Sequence, residues 1–164
     1  MAMNQLKISS DTLGAAVVDA NVLIAICARE QDKLHKALAA LGNYAAKGWR
    51  LYAPNVLLAE TLYILCGKLQ SGSLTQAEHN SAIQLLQQYL LQIAPPPSGD
   101  FSLAVRAEAI RQGYGCSRSA DGLYIALAEE LAQQGPTELL TFDQGLVKQA
   151  AQNAPAVKVN LLLP

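Results

Sequence analysis

Ala15-Ala16-Val17-Val18-Asp19-Ala20-Asn21-Val22-Leu23-Ile24 is the stretch on which the reading of this 164-residue chain turns. Four apolar residues without polar alternation, two of them β-branched, suit a strand buried on both faces. The run breaks at Asp19, and Asn21 opens a second apolar stretch, Val22 to Ala28, which reads as a short helix.

The same alternation continues downstream. Residues 30–46 place Leu34, Ala37, Leu38 and Leu41 at helical spacing, with Gly42 or Gly48 as a stop. Arg50 to Ala53 reads as a strand halted by Pro54, and Asn55 as the cap of a helix over 56–69. Thr75 and Glu78 have capping-box spacing at the head of a helix running to about Tyr89. Leu90 to Ala94 is a strand candidate, followed by the loop Pro95-Pro96-Pro97-Ser98-Gly99. A helix over 101–112, a break at Gly113-Tyr114-Gly115, and a long helix capped by Ser117 or Ser119 come next. The chain closes with a strand at 139–142, a helix over 144–152 and a strand over 157–162. Strands alternating with helices predict an α/β fold with a mainly parallel central sheet covered on both faces.

Composition narrows the class. Hydrophobic residues make up 51% of the chain, which predicts a packed core, and charged residues only 15%. The net charge of −1 gives no general positive field for holding nucleic acid, but leaves room for a local basic rim or a bound cation. Cys27, Cys66 and Cys116 are odd in number and lack zinc or disulfide spacing. Neither a signal-peptide core nor a membrane-length apolar run is present, so a soluble, cytoplasmic protein is expected.

Against this apolar background, acids stand out. Asp19 lies in VVDANVLIAI, Glu60 in NVLLAETLYIL and Asp121 in ADGLYIALA, with Lys and Arg nearly absent from all three. An ionised carboxylate in such company is costly unless it is paired, hydrogen-bonded or bound to a metal. Asp143 follows a strand, as Asp19 does, and parallel sheets build their sites at strand carboxyl ends. A set made only of carboxylate oxygens favours Mg²⁺ or Mn²⁺ over zinc. Taken singly, Asp19 could be a helix cap, Asp121 a first-turn acid favoured by the helix dipole, and Asp143 a turn residue before Gly145. Glu60, in mid-helix, could be a half-exposed surface residue. Four such placements together are harder to explain one by one.

These residues carry a family resemblance. Val17 to Ile24, Glu60 in its apolar helix, Ala120-Asp121-Gly122-Leu123-Tyr124-Ile125-Ala126-Leu127-Ala128, and Thr141-Phe142-Asp143 together resemble a PIN domain. The likeness is greatest to the small prokaryotic branch that includes the VapC toxins of toxin–antitoxin pairs. It runs from about residue 15 to 162, and the whole chain, 1–164, is expected to be one such domain. The resemblance implies a three-layer α/β/α sandwich and Mg²⁺- or Mn²⁺-dependent endoribonuclease activity on single-stranded RNA. In-line attack of cation-activated water on phosphorus would leave a 5′-phosphate and a 3′-hydroxyl. Asp19, Glu60, Asp121 and Asp143 match the four acidic positions, as catalytic groups and metal ligands. Asp143 and Asp121 would orient the water, and Asp19 and Glu60 mainly hold metal. Asn21 matches a residue supporting the first Asp, and Thr141 a hydroxyl before the last. A small antitoxin protein and a second copy of the chain are the implied partners. Two positions depart from the pattern. Gly145 replaces a common acidic or polar residue, so a second metal is not implied. Gly122 replaces a common Ala, which would loosen the first helical turn.

Arg111 and Arg118, near the Asp121 helix, are candidates for binding substrate phosphates. No Walker loop or nucleophile elbow occurs. An aspartyl-nucleophile phosphoryl transferase would leave Glu60 and Asp121 without a part. The alternative from a different class is a catalytically weak PIN-like module that binds RNA or protein and keeps the metal structurally.

Overall fold

Strand β1 (Ala15–Val18) is buried at every position, with Ala16, Val17 and Val18 wholly inaccessible. That burial requires a neighbouring strand on each edge and a layer on each face. The computed structural model, which describes residues 13–117 and 119–163, supplies both. Strand β1 pairs in parallel with β2 (Arg50–Tyr52) on one edge and β4 (Thr137–Thr141) on the other. Strands β3 (Ile93–Ala94) and β5 (Val159–Leu161) flank them, also in parallel, giving the order β3-β2-β1-β4-β5.

Seven helices among the described residues connect these strands. Helix α1 (Ala20–Cys27) packs on α2 (Gln31–Ala46), α3 (Val56–Gln70) and α4 (Gln76–Leu90). Helix α6 (Asp121–Ala132) packs on α5 (Asp100–Gln112) and α7 (Gln144–Asn153). The result is a three-layer α/β/α sandwich. Its core is drawn mainly from β1, α1, α6 and β4, with Leu23, Ile125, Leu127, Leu139 and Leu140 fully buried. No helix among the described residues is long and apolar enough to cross a membrane.

Several boundaries differ from expectation. Helix α1 begins at Ala20, because the chain turns directly after Asp19. Helix α4 continues through Leu90, which leaves β3 only two residues. The Thr75–Glu78 capping box is present with both reciprocal hydrogen bonds. Asn55 makes no side-chain cap; its backbone N–H donates instead to the Asp100 carboxylate at 3.2 Å. Helix α6 starts at Asp121 itself, later than the serines expected to cap it. Helix α1 closes with Arg29 in the left-handed region (φ 52°), where Glu30 N–H donates to Ala25 O at 2.9 Å. This six-residue turn sets Glu30 at the head of α2.

Candidate functional site

The chain runs outward from β1 through β2 to β3, then returns to place β4 on the far side of β1. The carboxyl ends of β1 and β4 therefore form the topological switch point, where the connections diverge and leave a crevice. Asp19 follows β1 there and Asp143 follows β4. Helices antiparallel to the strands begin at the same edge. Asp121 is the first residue of α6, and Glu60 lies in the second turn of α3. All four acids line one open cleft of about 440 Å³, together with Asn21, Glu30, Lys33, Tyr63, Ile64 and Lys68.

Asp19 occupies the N-cap position of α1 but makes no side-chain cap. Its Oδ2 accepts hydrogen bonds from Thr141 Oγ1 (2.6 Å) and Asn21 Nδ2 (2.7 Å). Asn21 Oδ1 in turn accepts from Phe142 N–H, and Thr141 Oγ1 from Asp143 N–H. One polar network thus ties the end of β1 to the end of β4. Both supporting positions expected from the sequence, Asn21 and Thr141, lie within it.

Asp143 does cap α7: its Oδ1 accepts from Gly145 N–H at 2.6 Å. A Cβ at position 145 would stand 3.0 Å from that oxygen, so the glycine leaves the carboxylate its place. Glu60 Oε2 accepts from Tyr124 Oη at 2.6 Å. Tyr124 is fully buried one turn after Asp121 on the same face of α6. Its contact with Glu60 is one that sequence reasoning missed. The i, i+3 spacing from Asp121 was its only signal, since an aromatic in an apolar helix reads as core.

The electrostatics are those of a cleft short of positive charge. Burial pushes the Asp19 carboxyl up to about 7, opposed by the Thr141 hydrogen bond and reinforced by Asp121 and Glu60. Glu60 is raised by burial, against the Tyr124 hydrogen bond and with the charge of Asp121. Asp121 is raised by burial, against a Ser119 hydrogen bond and with the charge of Asp143. Among the described residues none of the four acids has a Lys or Arg ion-pair partner. Nor do any three His, Cys, Asp or Glu groups among them already stand in a metal-binding arrangement. The donor chemistry fits a hard cation, while the side chains sit apart around the cleft.

Of the two arginines expected near substrate, Arg111 lies outside the cleft lining, 3.5 Å from Glu108 on α5. Arg118 lies outside the described residues. The cations that line the cleft are Lys33 and Lys68, both bound to Glu30.

Two solved structures share this architecture. One is VapBC2 from Rickettsia felis, determined bound to a DNA fragment from their promoter (TM-score 0.58, 14% identity, 90% of this chain and 98% of that chain covered). The other is PAE2754 from Pyrobaculum aerophilum (TM-score 0.54, 17% identity, 97% and 92% covered). No curated protein matches the sequence. The sequence model of the PIN domain, however, matches residues 16–152, and the chain belongs to the PIN domain family.

Proposed function

We propose that this chain is a Mg²⁺- or Mn²⁺-dependent endoribonuclease that cleaves single-stranded RNA. PIN domains are generally nucleases that use divalent metals, and the observation that carries the reading here is the cleft at the switch point. Four acids from β1, α3, α6 and β4 line it without a single Lys or Arg partner among the described residues. Buried carboxylates are normally neutralised; Asp19 is buried and Glu60 and Asp121 half-buried, and these three are left for something else to neutralise.

Asp19, Glu60, Asp121 and Asp143 would hold the cation, drawing together from their present separation. Bound there, it would lower the pKa of water and offset charge on the phosphoryl group. The protein's own groups prepare the site. Asn21 and Thr141 fix Asp19, and the Gly145 N–H fixes Asp143. Tyr124 holds Glu60 from a position that cannot move without disturbing the core. Asp143, the most exposed of the four, and Asp121 would orient the attacking water.

The fold-level likeness to VapBC2 supports a toxin held in check by a small antitoxin; a homodimer acting in the cytoplasm belongs to the same proposed reading. Two helices present unpaired apolar side chains that a partner would cover: Leu58 and Leu62 on α3, Phe101 and Val105 on α5.

The test is cleavage of a pooled, end-labelled single-stranded RNA by wild type and Asp121→Asn, with EDTA, Mg²⁺ or Mn²⁺. The expected result is metal-dependent cleavage by wild type only, with both proteins folded by circular dichroism. Inactivity of wild type with every metal would favour the binding-module reading. Equal cleavage by the variant would remove Asp121 from the site.

A further inference from the structure

A cleft lined by four acids repels a polyanion, so an RNA strand needs cations beside it. Only two basic side chains line this cleft among the described residues, and they converge from different helices. Lys68 lies two turns after Glu60 on the same face of α3, with Ile64 between them, so the face carrying the acid also carries the cation. Lys33 comes from the first turn of α2. Its Nζ sits 5.5 Å from the centre of the Phe142 ring, beside Asp143. Glu30 collects both: Lys68 Nζ is 2.9 Å from Oε1 and Lys33 Nζ 3.2 Å from Oε2. Two cations share one carboxylate, leaving a net positive charge on the rim. Tyr63, 78% exposed, lines the same side of the cleft. A large ring so exposed contributes little packing within the chain itself.

We propose that Lys33 and Lys68, presented as a pair by Glu30, bind the strand phosphates that flank the scissile one, and that Tyr63 stacks on an adjacent unpaired base. This rests on the nuclease reading above and names what it would take: an unpaired strand. Paired lysines with an exposed aromatic are single-strand-binding chemistry, because a duplex hides its base faces. A purely structural role for the cluster, tying the head of α2 to the end of α3, predicts a change in stability alone.

The experiment measures binding of a short fluorescein-labelled oligouridylate to Asp121→Asn protein in Mg²⁺, by anisotropy over a range of salt concentrations. Adding Lys33→Gln and Lys68→Gln should weaken binding about ten-fold or more. It should also flatten the slope of log affinity against log salt by ~1.4, since each single-strand phosphate that a lysine neutralises adds ~0.7 to that slope. Tyr63→Ala should weaken binding without changing the slope. Lys47→Gln with Lys158→Gln removes the same charge near Glu138, at the opposite end of β4, and should leave both quantities unchanged. An unchanged slope in the Lys33/Lys68 variant, with binding and wild-type cleavage intact, would overturn the lysine assignment alone. If wild type neither cleaves pooled RNA nor binds the oligonucleotide, the nuclease reading fails and this proposal falls with it.

Discussion

Burial raises the Asp19 carboxyl from 3.8 to about 7, and the charges of Asp121 and Glu60 push the same way. The folded protein therefore holds this proton more tightly than the unfolded chain does. Between roughly pH 4 and 7 unfolding releases it, so the metal-free protein loses stability as pH rises through that window. A shift of this size corresponds to as much as ~4 kcal/mol. Glu30 and Glu138 are lowered by their lysine partners despite burial, so their contribution is lost only as pH falls below about 4.5. Urea denaturation of metal-free protein should show a stability maximum near the crossover, falling towards neutral pH. Asp19→Asn should remove most of the neutral-side fall and make the metal-free protein more stable at pH 7.5, while cutting cleavage at least ~100-fold. Mg²⁺ at 100 times its dissociation constant should restore ~2.7 kcal/mol to wild type and much less to the variant. A variant that is destabilised at pH 7.5 would mean that Asp19 is structural. Tyr124→Phe tests the neighbouring contact. Removing a donor from a half-buried carboxylate should cost ~1.5–3 kcal/mol and lower the turnover of cleavage without changing which metal supports it. Equal turnover in the variant would leave Tyr124 a core residue only.

Gly122 shows how an element-scale constraint can pass for a local flaw. Read along the helix, glycine after Asp121 weakens the first turn of α6. In three dimensions, a Cβ there would stand 2.7 Å from the Ala107 carbonyl oxygen of α5. The glycine is what lets the two helices approach, and this contact fixes where α6 presents Asp121. Gly122→Ala should therefore destabilise the fold by ~1–3 kcal/mol, despite the ~1 kcal/mol that Ala gains in helix propensity. A thermal melt that rises in the variant would show that α5 yields freely. The apolar runs of β1 and β4, the helical spacing of α2 and the Thr75 capping box were legible because each is a local pattern. Asp19 and Asp143 were legible as strand-end acids for the same reason. Tyr124, Lys33 and Lys68 were not, since each meets its partner only through the topology. Lys68 reaches Glu30 from 38 positions along the chain, and Tyr124 reaches Glu60 from 64. The arginines near Asp121 suggested themselves by proximity in sequence, which is a poor guide to proximity in a cleft.

At the scale of the whole molecule, the helices covering the sheet are not fully covered themselves. Phe101 is 97% and Val105 83% exposed, one turn apart on α5, while Leu58 and Leu62 form a less exposed pair (45% and 40%) at the same spacing on α3. The Asn55 N–H bonded to Asp100 ties the heads of these two helices together, so the two pairs belong to neighbouring elements. Burying Phe101 and Val105 would contribute ~1.5–3 kcal/mol each, and the less exposed Leu58 and Leu62 about half of that each. That is a substantial fraction of a micromolar association energy before ordering costs are met. A second copy of the chain can meet both pairs about a two-fold axis, with each protomer covering the other. Light scattering coupled to size exclusion should then give twice the chain mass for wild type and the single chain mass for Phe101→Glu combined with Leu62→Glu. Circular dichroism should be unchanged, because Phe101 is exposed and Leu62 lies partly at the surface within one protomer. A monomeric wild type at every concentration would exclude the homodimer. The two apolar pairs would then be open to a different protein partner, and co-expression with the double variant would show whether they are needed to hold it.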